Sequence, residues 1–522
     1  MATGDPVSTL LLISALGIYI HALFLCMSLG LPCIIIALLF KFWRTHDEDY
    51  YRAARTVTGV LGVNFALGAI TGTLVEFGLV QAWPGSIFVI ATFGFTPLAF
   101  ELVAFVGEIV SLILFVVTLR KVSAPISICM MALYVVMAVA SGALITTVNS
   151  WLNVPWGTDG LASTLYPFLP EYGPASANIP ALVRLKVELI RAILQSGSSS
   201  QVIQDPALAQ KIGLTLIDPF AAFSSQYALA SVLHNVNAGM IVGMSFGLVG
   251  YAYRFHRTGD RKYTKVIRAF LPVLLILLIL QPTVFGDLMG KSVAANQPTK
   301  FALMEHAATT TENPFIAFLA YGDPNHSIYG FDRFRAACET MKGETLGKLV
   351  SSVVPDLNLG SASSTDLSSI CLADLSKAER GITVINLAYY TKITLGAIAL
   401  ISLLALVCLL FRIRALSKFA ARILAPLGRR SVLLLSLVVL CGTSTTAALG
   451  WFVRDGGRKP WTVYGLLYPE EVVTPVPINP TVLAIFVLVF VVVAIIGLYG
   501  MYIVSTRSLK FVELLKRGGG IE

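Results

Sequence analysis

Apolar and polar positions alternate along this chain in long blocks rather than in the short periods of a soluble fold. Predominantly apolar stretches lie near residues 8–40, 57–81, 94–119, 124–148, 227–253, 266–288, 387–411, 431–453 and 480–504. A helix of about 20 apolar residues crosses the hydrocarbon core of a bilayer, so each stretch predicts a transmembrane helix. The expected fold class is an all-α integral membrane protein of about nine spans. The first span does not read as a cleavable signal, because no basic residue precedes it, Asp5 does, and its apolar run is too long for an h-region. Two long polar segments interrupt the pattern. Residues 1–288 hold spans 1–6 with a loop at 149–226, residues 289–386 form a loop of their own, and residues 387–522 hold spans 7–9 and a tail. Within the first loop, PALVRLKVELIRAIL (180–194) has the spacing of an amphipathic helix; the second contains the Ser-rich GSASSTDLSS (360–369). Loops this long are usually functional or disordered. No internal repeat supports the inverted-repeat logic of secondary transporters.

Charge turns the span list into a topology. Only 13% of the 522 residues are charged and 56% are hydrophobic, against roughly 25% charge in a soluble domain. Lys and Arg concentrate after spans 1, 3, 5, 7 and 9, as in RFHRTGDRKYTK (254–265) and RIRALSKFAARILAPLGRR (412–430). The segments before span 1 and between spans 2 and 3 carry none, and 454–479 carries three. The positive-inside rule places the N-terminus and both long loops outside and the C-terminus in the cytoplasm. The net charge of +9 therefore reflects topology, and no nucleic-acid-binding pattern accompanies it. Five of seven cysteines, Cys26, Cys33, Cys129, Cys408 and Cys441, fall in or beside spans as small packing residues. Cys338 and Cys371 fall in the 289–386 loop, on the oxidising side, either as a disulfide or as two free thiols.

Ionisable groups inside a bilayer are costly and mark function by default. His21 lies in span 1, Glu76 late in span 2, Glu101 and Glu108 in span 3, His234 in span 5, Lys392 early in span 7, and Asp455 just past span 8. The other histidines, His46, His256, His306 and His326, fall in loops. Each buried histidine is either a haem ligand in a helix bundle or one end of a helix–helix hydrogen bond, worth about 1 kcal/mol in membranes. Glu76 reads as an interfacial residue rather than a ligand, and Lys392 can snorkel outward. Seven residues separate Glu101 from Glu108, which puts them within about 20° of one face and roughly 10 Å apart along the helix. Such a pair suits a ligand or proton acceptor with a relay behind it, or two unrelated acids neutralised by burial.

Several of these residues sit in longer motifs. YIHALFLCMSLG (19–30), NFALGAITGTLVEFGLVQAW (64–83), TPLAFELVAFVGEIV (96–110), SVLHNVNAGMIVG (231–243), GDLMGKSVAANQPTKFALMEHA (286–307) and GWFVRDGGRKPW (450–461) together resemble subunit I of cytochrome bd-type quinol oxidases. The resemblance implies an oxygen-reducing quinol oxidase subunit in the plasma membrane of a prokaryote. It makes His21 a ligand of the oxygen-reducing haem pair, Glu108 the inner glutamate associated with proton delivery, and Glu101 the outer one, a haem ligand or its neighbour. The family spacing of these acids is eight, so the seven found here rotates Glu101 by about 100° unless a bulge restores it. Asp455 takes the place of a glutamate ligand of the other haem of the pair, one methylene shorter. Arg458 lies in GRKPW, which resembles the Gly-Arg-Gln-Pro-Trp signature, among the cofactor-binding residues.

His234 matches one ligand of a low-spin haem b. In NLAYYTKITLG (386–396) Lys392 stands where the family has an arginine and Thr394 where it has the second, methionine ligand. That haem is then five-coordinate, ligated by another group such as Lys392, or absent. Lys300 and Glu305 match the quinol-binding Lys and Glu of the external loop. The implied cofactors are haem b with a second and third haem of type b or d. The implied chemistry oxidises quinol outside and reduces oxygen to water with cytoplasmic protons. Implied partners are a subunit II or second subunit I-like chain, small single-helix subunits, lipid and quinone, with no nucleic acid. The substitutions keep open a degenerate paralogue beside a competent subunit, and a haem-free transporter or scaffold on the same fold.

Overall fold

The computed structural model describes residues 6–155, 220–224, 226–345, 347–348, 351, 363–411, 428–464, 468–474 and 479–506. Among them, nine helices are long and apolar enough to cross a membrane. They are α1 (Pro6–Thr45), α2 (Glu48–Ala82), α4 (Phe95–Thr118), α5 (Ala124–Asn153), α6 (Gln226–Thr258), α7 (Lys262–Leu280, continued below), α13 (Ile382–Phe411), α14 (Arg429–Gly456) and α16 (Pro480–Thr506). Shorter helices are α3 (Pro84–Phe93), α8 (Asp287–Asn296), α9 (Pro298–Met304), α10 (Pro314–Tyr321), α11 (Phe331–Glu339), α12 (Leu367–Glu379) and α15 (Pro469–Val472). All nine expected spans are present. The amphipathic segment 180–194 lies outside the described residues.

Tight turns close one end of the bundle. At the α1–α2 turn His46 takes a positive φ of 54°, and the Asp47 carboxylate accepts the Asp49 amide at 3.0 Å, capping α2. At the α6–α7 turn Gly259 takes φ 71°, and Asp260 accepts the Lys262 amide at 2.9 Å. Lys265 on α7 pairs with Asp47, so the two turns are tied together. The opposite end carries the described parts of 297–381, the loop end.

The helices form two groups. In one, α1 lies against α2 and α5, and α4 lies against α5; in the other, α13 packs on α14, α6 on α14 and on α7. The groups meet where α1 crosses α6, while α16 rests on α2 from outside. At that crossing Gly30 faces Gly243, and a Cβ on Gly30 would lie 2.6 Å from the Gly243 carbonyl carbon. Small residues let membrane helices approach backbone to backbone. Near the turn end the interior is sealed by Phe115, Tyr134, Met244, Phe270 and Leu271, all fully buried. Outward-facing side chains are apolar instead: Leu102 and Val103 on α4 and Ile495 and Ile496 on α16 are more than half exposed. Lipid supplies their solvent.

The pattern predicted a polar loop at 289–386, but the described part is a folded cap. Helix α7 runs through a π turn, Gln281–Gly286, into α8, and α9 to α12 follow. Phe301, Phe331, Phe334, Trp461 and Tyr464 form the cap's core. Cys338 on α11 and Cys371 on α12 are joined by a disulfide with Cα atoms 5.6 Å apart, closing 33 positions of chain. Loop-closure entropy makes a bond of that span worth about 3 kcal/mol. Peptide mapping of unreduced protein is expected to recover these two cysteines linked, and Cys338→Ala to lower the thermal midpoint; two free thiols in untreated protein would exclude the bond.

Candidate haem-binding site

His21 is half-buried in α1, and its Nδ1 lies 3.1 Å from Thr71 Oγ1 on α2. Thr71 has one hydroxyl proton and donates it along its own helix, to Leu67 O at 2.8 Å. Its oxygen therefore accepts from Nδ1–H, and the neutral ring keeps its lone pair on Nε2. That tautomer is the metal-binding one, fixed by an outer partner as metal-ligating histidines require. Gly72 makes the space: a Cβ there would lie 2.9 Å from His21 Cε1. Neither Thr71 nor Gly72 stood out in the sequence.

His234 is held differently. The Gln281 amide nitrogen lies 3.2 Å from Nδ1 and 3.3 Å from Nε2, and its oxygen accepts Asn237 Nδ2 at 2.6 Å. Gln281 reaches α6 from the π turn, a local widening often found at functional sites. The Gln281 amide donates to one ring nitrogen, and the ring also reaches the Phe285 backbone oxygen, a bond that a ligand at that nitrogen would replace. Lys392 lies on the half-buried side of α13, within electrostatic reach of His234, with Nζ 5.0 Å from the Tyr389 ring centre. Thr394 is exposed on the outer face and donates to Tyr390 O at 3.0 Å. The position of the expected methionine thus faces away from the bundle.

The end of α14 brings together several sequence-predicted residues. Arg458 Nη2 lies 3.1 Å from Asp455 Oδ1, so Asp455 is engaged in an ion pair with a residue just past the end of its helix. Arg454, Arg458 and Trp461 are buried, and their Nε and Nη1, Nε and Nη1, and Nε1 atoms find no acceptor among the described residues. Five buried N–H donors of this kind call for an anion, since an unmet donor costs about 1–3 kcal/mol. Haem propionates are the right charge, and this end of the bundle fits them. Among the described residues no three His, Cys, Asp or Glu side chains converge on a bare metal ion. The histidines suit an iron whose remaining equatorial ligands come from a macrocycle.

Lys300 and Glu305, expected together on the cap, part company. Lys300 is fully buried, donating to Gln297 Oε1 at 3.2 Å and to Arg454 O at 3.1 Å. Burial and the neighbouring Arg454 hold its amine well below the usual lysine range. Glu305 stays at the rim, accepting the Tyr390 hydroxyl at 2.7 Å. Its burial raises the carboxyl above the usual range against the opposing pull of that bond.

On α4, Glu108 is buried, and Ser141 of α5 donates to Glu101 Oε1 at 2.8 Å while also reaching Glu108. Helix α4 is regular from Phe95 to Thr118. A hydroxyl from the next helix, not a bulge, brings the two acids together across their spacing of seven. Towards the turn end follow Tyr134, Ser28 and Asn64, with Asn64 Nδ2 donating to Ser28 Oγ at 3.0 Å. Hydroxyls between carboxyls can pass a proton by rotation. Glu76 is exposed on the outer face of α2, within electrostatic reach of Glu101.

Among the described residues, nine apolar helices enclose His21 and His234 and end in buried cations, the build of a multi-pass membrane protein. The family model described as cytochrome bd terminal oxidase subunit I matches residues 12–509, and the chain belongs to that family. It is 24% identical over 472 residues to cytochrome bd ubiquinol oxidase subunit 1 of Bacillus subtilis (strain 168), covering 87% of this chain and 83% of the relative. A cytochrome bd menaquinol oxidase subunit I of the same strain is 27% identical over 158 residues, 30% of this chain and 36% of that one. The solved bd oxidase from Geobacillus thermodenitrificans shares the fold, with a TM-score of 0.69 at 18% identity over 97% of this chain and 99% of the other. The chain is a multi-pass protein of the plasma membrane.

Proposed function

We propose that this chain is the haem-bearing subunit of a quinol oxidase, oxidising quinol at the loop end and reducing oxygen to water with protons drawn from the turn end. The observation that carries this reading is His21, whose Nε2 keeps its lone pair because Thr71 holds Nδ1. His21 and His234 would hold iron, with Arg458 at a propionate, and haem would supply the one-electron redox chemistry. Glu305, paired with Tyr390 at the rim, would take protons from a quinol; Glu101, Ser141 and Glu108 would carry protons inward. The Cys338–Cys371 disulfide supports an oxidising exterior at the loop end and hence an external N-terminus. Glu76, ionisable on a lipid-facing surface, favours a partner chain, subunit II or a second subunit I-like chain, covering α2 and α4. Pyridine haemochrome stoichiometry on purified complex, with quinol-driven oxygen uptake, tests the reading; protein free of haem would overturn it in favour of a transporter or scaffold.

A second reading, a paralogue with altered ligation, is favoured by Thr394 on the outer face and Asp455 in an ion pair. Fewer haems than three would select it. On either reading Lys392 serves a propionate as a cation, and His234 is the sole protein ligand of its haem. That haem is then expected to be high-spin and carbon-monoxide-reactive, with Lys392→Met keeping it so or converting it to low spin. Should every haem b already be low-spin in the wild type and Lys392→Ala leave the spectrum unchanged, neither a cationic nor a ligating Lys392 survives.

A further inference from the structure

Arg454 shares the stretch GWFVRDGGRKPW with Arg458 but lies outside its GRKPW signature, and it is the more completely enclosed. It is 5% exposed, on the last turn of α14. One nitrogen is used: Nη2 donates to Ser150 Oγ at 3.1 Å. Its guanidinium carbon sits 5.1 Å from the Trp451 ring centre. Nε and Nη1 have no acceptor, and no described carboxylate pairs with it, since Asp455 is engaged by Arg458. With Ser150 taking one Nη2 proton, the other still stands beside Nε–H or Nη1–H, and either pair on the planar guanidinium matches the two oxygens of a carboxylate. The location adds identity. Arg454 lies within electrostatic reach of His234, and its backbone oxygen accepts from Lys300 Nζ.

We propose that Arg454 is the positioning residue that clamps a propionate of the haem at His234, on the side where Lys300 approaches. The inference rests on the haem reading of His234. The charged and titratable groups facing the clamp are Asp455 on α14, Arg458 just past its end, Tyr227 and His234 on α6, Lys300 on α9 and Lys392 on α13. A carboxylate neutralised by a fixed guanidinium stabilises ferric iron less than a bare one does. Without the clamp, the ferric form gains and the midpoint potential falls. The propionate also becomes free to take a proton, which makes the potential depend on pH.

The test is spectroelectrochemical titration of the intact oxidase, following the haem signal that His234→Ala removes. Arg454→Gln is expected to lower that midpoint and give it a pH slope absent from the wild type, leaving the signal that His21→Ala removes in place. Arg454→Lys keeps the charge but loses the fork, and is expected to fall between. If Arg454→Gln yields no folded protein, the lysine variant decides, and a midpoint equal to wild type overturns the clamp. An unchanged midpoint with a raised KM for quinol would also overturn it, assigning the fork to a quinone oxyanion. Wild-type protein without haem at His234 would instead overturn the proposed function, a distinct result.

Discussion

His21→Ala protein is expected to insert and purify but to lack the haem that His21 holds, with His234→Ala losing a different one. The size of the effect follows from ligand number. Each site offers iron one strong imidazole, and the other candidates nearby, Asp455 and Lys392, are an ion-paired carboxylate and an amine beside an aromatic ring. Losing the single imidazole leaves nothing equivalent. Thr71→Val is the sharper companion. It keeps the ligand but removes the oxygen that fixes Nδ1–H, and losing such an outer partner typically costs 10–100-fold in metal affinity. It should therefore show partial haem occupancy and a shifted spectrum. Haem per protein by pyridine haemochrome, with yield measured in parallel, separates lost ligation from lost folding. Both histidine variants carrying full haem with unaltered spectra would remove haem ligation from these residues.

The spans were legible because a bilayer leaves the backbone few options. Each crossing segment must satisfy its own hydrogen bonds as a helix and present apolar side chains to lipid. The same logic hides whatever lies beyond the hydrocarbon. The apolar pattern opens span 2 near residue 57, but α2 starts at Glu48, nucleated by the Asp47 cap. A polar helical extension in water carries no apolar signal. The cap at 297–381 was illegible for a related reason. Its helices are short, and their stability comes from the Cys338–Cys371 bond and from Trp461 and Tyr464 on a distant segment.

The site divides along the same line. His21 and His234 stood out by being alone in apolar surroundings, and Glu101 and Glu108 by their spacing. Their partners did not, because contact, not sequence, selects them: Thr71 is 50 positions from His21 and Gln281 is 47 from His234. Arg454 read as an ordinary charge at the end of a span. Only packing against Trp451 and Ser150 shows that it is buried. Lys300 was expected on an exposed loop, and the cap encloses it instead.

Gly243→Leu is expected to leave no correctly assembled protein, whereas Gly250→Ala, about two helix turns further on, should behave as wild type. A Cβ on Gly243 would lie 2.8 Å from Gly30 Cα and 2.9 Å from the Cys26 carbonyl carbon, while one on Gly250 meets nothing within 4 Å. The obstacles at Gly243 are backbone atoms of α1, so no side-chain rotamer relieves them. Ordinary overpacking costs about 1–3 kcal/mol, and a clash that separates two backbones should exceed it. The crossing also sets the level of the two histidines. His21 precedes Gly30 by nine residues and His234 precedes Gly243 by nine, so on these parallel helices both lie about 14 Å from the contact. Sliding α6 by one turn to avoid the clash would displace His234 from His21 by about 5.4 Å, so even folded molecules should bind less haem. Fluorescence-detected size exclusion after solubilisation, combined with haem per protein, reads both outcomes. Gly243→Leu protein that elutes as wild type with full haem would show that the Gly30–Gly243 contact does not hold the two helix groups in register.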